Sequence, residues 1–112
     1  MFKISSFDII NKDLIKEIIK TKKPTIVSTG MASLKEISNT YQTFKKNKVP
    51  ISLLHCVSSY PTPAENVNLP RIKFLKKHFK RVGYSGHYKG INDAVAALHY
   101  KPEFIEKHFT ID

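Results

Sequence analysis

KKPTIVSTGMASLKEISNTYQTFKKNKVPISLLHC, residues 22–56, holds one complete repeat of the pattern that decides the fold. A short apolar run, Pro24–Thr29, ends at Gly30. Ser33 then opens a helix, and Glu36 three residues on completes a capping box. Leu34, Ile37, Tyr41 and Phe44 form its apolar stripe. A second run, Ile51–Cys56, is almost continuously apolar, as in a strand covered on both faces. Strand, helix and strand in this order read as a parallel unit with a right-handed crossover.

The same alternation runs outward in both directions. Phe2–Ser6 reads as a strand and Asn11–Thr21 as a helix, with Leu14, Ile15, Ile18 and Ile19 on one face. Downstream lies a loop, Val57–Val67, containing Pro61 and Pro63. Asn68 is expected to cap a helix carrying Leu69, Ile72, Leu75 and Phe79, with Pro70 in its first turn. Arg81–Ser85 is a fourth strand, Gly90–Leu98 an Ala-rich helix, and Pro102–Thr110 holds a fifth strand. The order is βαβαβαβαβ, an α/β chain with a parallel sheet. Five strands do not close an eight-stranded barrel. Both an open α/β sheet and part of a barrel remain compatible with this order.

Composition narrows the function. A chain of 112 residues with 41% hydrophobic residues is a foldable domain, too short for a complete large enzyme. One cysteine, Cys56, excludes an internal disulfide framework and suits a reducing cytosol, so a cytoplasmic location is expected. The longest apolar runs fall far short of a membrane span. The net charge is +10, from 19 Lys and Arg against 9 Asp and Glu. The lysines alternate with apolar helix positions, which reads as solvated faces that steer anions rather than as a nucleic-acid stripe.

In parallel α/β folds chemistry gathers beyond the C-terminal ends of the strands. Those ends here carry Ser5, Ser6 and Asp8; Ser28, Thr29 and Gly30; His55, Cys56, Ser58, Ser59 and Tyr60; Ser85, Gly86 and His87; and Glu106, Lys107 and His108. Small hydroxyls beside a lysine suit a phosphate. His87 and His108 suit a divalent metal held with open positions. His78 and His99 read as surface or packing residues, His55 as a hydrogen-bonded core histidine, and Cys56 as a small buried hydrophobe.

KISSFD (Lys3–Asp8), STGMAS (Ser28–Ser33), LLHCVSSYPTPAENVNL (Leu53–Leu69), GYSGHYKGI (Gly83–Ile91) and IEKHFTID (Ile105–Asp112) together resemble the sialic acid synthase family. That family includes N-acetylneuraminate synthase and its legionaminate and pseudaminate relatives. The resemblance implies a partial (β/α)8 TIM barrel, with the present strands as strands four to eight over residues 1–112. Strands one to three and a C-terminal antifreeze-like domain would lie elsewhere, so a truncated or split gene is expected. It implies a transferase that condenses phosphoenolpyruvate with an N-acetylated amino sugar such as N-acetylmannosamine, using Mn2+ or Mg2+. Lys3, Ser6, Ser28 and Ser85 would bind phosphoenolpyruvate. Asp8 would lie beside the reacting centre, Tyr60 and Ser58 would contact substrate, and His87 and His108 would hold the metal. Gly86 stands where many members have Asp. The implied partners are a second chain completing the barrel or a second copy. A non-catalytic, oligomerising remnant is the alternative.

Overall fold

A computed structural model describes residues 1–111. Apolar runs and helix-period runs alternate in it as the sequence pattern requires. The elements are β1 (Phe2–Ile4), α1 (Lys12–Lys20), β2 (Thr25–Ser28), α2 (Leu34–Lys46), β3 (Ile51–His55), α3 (Pro70–His78), β4 (Val82–Gly86), α4 (Asn92–Ala97) and β5 (Ile105–Lys107). Single 3-10 turns lie at Ser6–Asp8, Ala64–Asn66 and Leu98–Tyr100. The strands pair in chain order, β1-β2-β3-β4-β5, and every pairing is parallel. The sheet curls into an open half-barrel, so that Lys3 of β1 meets Glu106 of β5.

Register gives each face of this sheet its character. Ile4, Val27, Leu53 and Val82 are aligned neighbours across four strands, each at most 1% exposed. They face the helices and pack with Ile15 and Ile18 of α1, Ile37 and Phe44 of α2, and Ile72 and Leu75 of α3. Side chains alternate along a strand. The opposite face therefore carries Lys3, Ile26 and Ser52 in one row, Ser28, Leu54 and Gly83 in the next, and Ser85 with Glu106 above. This concave wall is mixed polar and apolar, whereas the central row on the helix side is wholly apolar.

Local signals explain most boundaries. Asn11 caps α1 by accepting the Leu14 N–H at 3.1 Å. Ser33 and Glu36 form the expected capping box. Leu14 and Leu34 lie at the margins of their stripes and stay partly exposed.

Three boundary expectations are corrected. Asn68 does not cap α3 with its side chain; it takes a left-handed φ of 48°, which Asn tolerates better than most residues. The 3-10 turn at Ala64–Asn66 leads the chain into α3, where Leu69 is the cap residue. Phe79 leaves the helix and turns extended, yet stays buried against Tyr41 with ring centroids 4.9 Å apart. Helix α4 starts at Asn92 rather than Gly90, because Gly90 has φ +89°.

The capping box is testable by itself. Ser33→Ala removes both its side-chain bonds to Glu36 and is expected to lower unfolding free energy by about 1 kcal/mol in urea titrations. An unchanged midpoint would mean that α2 is held by packing alone.

Candidate functional site

The concave wall and the rim above it bring most of the expected residues together. Lys3 Nζ donates to Glu106 Oε1 at 2.5 Å and to Oε2 at 2.6 Å. Ser85 Oγ donates to Glu106 Oε2 at 2.7 Å. Lys3 and Ser85 are thus engaged by a carboxylate from the far strand. Burial alone would raise the Glu106 pKa, but the Lys3 and Ser85 hydrogen bonds outweigh it and hold the carboxyl below its ordinary value.

Ser6 and Ser28 are buried at the ends of β1 and β2. Ser6 Oγ accepts the Gly30 N–H at 3.1 Å and lies 3.3 Å from Cys56 Sγ. Gly30 is required there: an added Cβ would fall 2.8 Å from the Cys56 carbonyl oxygen and from Ser58 Oγ. Asp8 accepts a hydrogen bond from Ser5 Oγ at 2.7 Å within the turn after β1. No bond links Asp8 to the Lys3–Glu106–Ser85 group among the described residues.

The histidines form a second cluster, at the ends of β4 and β5. The His87 and His108 ring centroids lie 5.7 Å apart. Tyr60 stacks over His87 at 4.0 Å and stands 6.1 Å from His108. His87 donates Nδ1–H to the Val57 carbonyl at 2.9 Å, because a carbonyl can only accept. That bond occupies Nδ1 and leaves Nε2 as the ring nitrogen that could ligate. Tyr60, His87, His108, Gly86 and Lys107 line a cavity of about 550 Å³.

The spacing fits a shared ion, since imidazole nitrogens sit about 2 Å from a metal and this separation lets both reach one. No group of three or more His, Cys, Asp or Glu assembles as a metal cluster among the described residues.

The remaining histidines follow expectation. His55 is 1% exposed, donates Nε2–H to the Val67 carbonyl at 3.0 Å, and leaves Nδ1 buried without a partner. Desolvation pushes its pKa down, against the opposing pull of the Val67 carbonyl. His78 is exposed against Phe74, and His99 packs beside Tyr100. Cys56 is a free, buried thiol.

Two parts of the site escaped the sequence reading. Glu106 was seen only as a polar strand end. Its alternation with His108 was the available signal, because i and i+2 share a strand face. The second part is a buried network of Lys107, Asp93 and Tyr84 behind the rim. Lys107 Nζ lies 2.9 and 3.1 Å from the two Asp93 oxygens, and Tyr84 donates to Asp93 at 2.8 Å.

Comparison with known proteins matches this arrangement to one family. A model described as the NeuB family matches residues 1–112. The chain belongs to the NeuB family. It is 45% identical over 116 residues to the N,N'-diacetyllegionaminic acid synthase of Campylobacter jejuni, covering 100% of this chain and 35% of that protein. It is 42% identical over 113 residues to a pseudaminic acid synthase of Campylobacter jejuni, covering 99% of this chain and 33% of the relative. The crystal structure of N-acetylneuraminic acid synthetase from Leptospira borgpetersenii, in complex with citrate, superposes with a TM-score of 0.94 at 43% identity, over 98% of this chain and 39% of that one. The NeuB-family chain spans about a third of the length of these curated relatives. No described helix is long and apolar enough to cross a membrane.

The ionisable groups predict a two-step acid response. Burial raises the Asp93 pKa, but hydrogen bonds from Lys107 and Tyr84 outweigh it, so the folded value is depressed. His55 is also depressed, by desolvation. Stability from either group is present above its unfolded pKa and lost as pH falls through the folded value. Urea midpoints are expected to decline first below about pH 6.5, from His55, and again below about pH 4, from Asp93 and Glu106. Asp93→Asn is expected to flatten the second decline only. A variant with an unchanged acid limb would contradict the assignment.

Proposed function

We propose that residues 1–112 form the strand-four-to-eight portion of a synthase barrel that condenses phosphoenolpyruvate with an N-acetylated amino sugar. The product is a nine-carbon 2-keto acid, and phosphate is released. The observation that carries this reading is the convergence of Lys3, Ser28 and Ser85 on one concave wall with His87 and His108 at its rim. The synthase activities for which the two Campylobacter relatives are named support the same class of product.

Lys3 and Ser85 supply charge-assisted and neutral donors for the phosphate and carboxylate of phosphoenolpyruvate, with Ser6 and Ser28 at the neighbouring strand ends. An arriving anion competes with Glu106 for Lys3 and Ser85, so binding rearranges that carboxylate. The strongly basic surface favours capture of so anionic a substrate. His87 and His108 would hold Mn2+ or Mg2+, which supplies Lewis-acid polarisation of the open-chain sugar aldehyde. Tyr60, over His87, and Ser58 bound the sugar side of the pocket, and Asp8 moves a proton near the reacting centre. The methylene carbon of phosphoenolpyruvate forms the new bond to the aldehyde carbon. Water adds at C2, and the C2–O bond to phosphate then breaks.

The wall offers polar side chains from five strands, and a complete site calls for the rest of a barrel. That is supplied by a further polypeptide segment or a second chain. The reaction is expected to proceed in the cytoplasm, where phosphoenolpyruvate is available.

The test is phosphate release with Mn2+, phosphoenolpyruvate and N-acetylmannosamine. It is run on the chain alone and mixed with a polypeptide carrying the missing strands. Activity is expected in the mixture and to fall at least about 100-fold in His87→Ala, His108→Ala or Lys3→Ala. No release in the mixture, with the chain self-associating, would favour a non-catalytic remnant that oligomerises through its open sheet edges.

A further inference from the structure

The ends of β4 and β5 are joined by more than their ladder. Lys107 stands between Glu106 and His108, but alternation sends its side chain to the helix side of the sheet. There its ammonium donates to both Asp93 oxygens and, at 2.8 Å, to the Tyr88 carbonyl. Tyr88 follows His87 directly. The Lys107 and Asp93 side chains are 18% and 1% exposed, so the pair is shielded from water and salt. Tyr84 adds a hydroxyl to the same carboxylate. Gly86, immediately before His87, leaves room for it: a Cβ there would fall 2.1 Å from Asp93 Oδ2.

One carboxylate of α4 is thus connected, directly or through Lys107, to three positions next to the histidines. It meets Lys107 beside His108, lies against Gly86 beside His87, and through Lys107 reaches the Tyr88 carbonyl. Gly86 and Lys107 border the histidine cavity, while Asp93 and Tyr84 stand behind it. We propose that Asp93 and Lys107 are positioning residues, a buried clamp that sets the separation and orientation of His87 and His108. The proposal rests on the reading of that rim as a metal-holding site. It adds a support layer that the reading itself does not require.

The experiment compares wild type, the double variant Asp93→Asn/Lys107→Met, Lys107→Arg and Tyr84→Phe. The double variant removes both charges together and leaves no uncompensated ion buried. Two readouts are taken on protein shown to be folded by circular dichroism. One is Mn2+ affinity, from the free-ion electron paramagnetic resonance signal. The other is cross-relaxation between the ring protons of His87 and His108 in metal-free protein. The double variant is expected to bind Mn2+ about tenfold more weakly or worse and to lose the ring cross-peak. Lys107→Arg is expected to recover part of both. Should the double variant fail to fold, Tyr84→Phe decides: about fivefold weaker binding supports the clamp, and wild-type values for both readouts overturn it. A folded double variant with wild-type affinity and an intact cross-peak also overturns it. His87→Ala separates the two ideas. If it binds Mn2+ as wild type does, the metal reading fails, and the cross-peak alone decides the clamp.

Discussion

Burial of one row of side chains, Ile4, Val27, Leu53 and Val82, governs everything else in this molecule. Each lies against the helices, and each is the register partner of the next. A slip of one residue in any strand would carry its apolar member to the concave face and its polar neighbour into the core. The same constraint that packs Ile4 therefore presents Lys3, and the one that packs Val27 presents Ser28. The site is the reverse side of the core. Its residues need no stabilising role of their own to be held in place.

The charged pair across the wall illustrates the point. Lys3 and Glu106 are 44% and 39% exposed at their side chains, in the range where ion pairs add little to stability. Their contact follows from the curl of the sheet. It leaves a cation and a carboxylate paired on the concave wall and half exposed, ready to exchange partners. The Lys107–Asp93 pair is the opposite case. It is nearly dry, and loss of one partner would strand the other. The first pair suits groups that must respond to a ligand, the second suits groups that must stay put.

The legibility of the sequence follows the range of the interactions. Strands, crossovers and the Ser33–Glu36 box are local patterns, and the structure reproduces them within a residue or two. Asn68 misled because the competing signal, a 3-10 turn at Ala64–Asn66, brings the chain into α3 already turning. Phe79 kept the helical period but not the helix, since Tyr41 on α2 captures its ring from outside the helix. His87 and His108 were readable as strand-end residues. The ion pairs of Glu106 and Asp93 were not, because they depend on partners that local pattern does not reveal. Lys3 lies 103 positions away in sequence, and Tyr84 and Lys107 belong to two different strands.

The loop that carries Tyr60 shows how an exposed functional segment can be held without a core of its own. Its last residue is tied to β3 by the His55 imidazole on the Val67 carbonyl. Its first residue is tied to the end of β4 by His87 on the Val57 carbonyl. Its middle is tied there again, by the Thr62 N–H on the His87 carbonyl at 3.0 Å. Tyr60 is 67% exposed, yet these three bonds bracket it and leave its ring over His87. The outer two are imidazole N–H donors, because a carbonyl can only accept. The bond that anchors the loop at His87 occupies Nδ1, so the ring meets any further partner through Nε2. A change that removed the Val57 contact would therefore release the start of the loop and the His87 ring together.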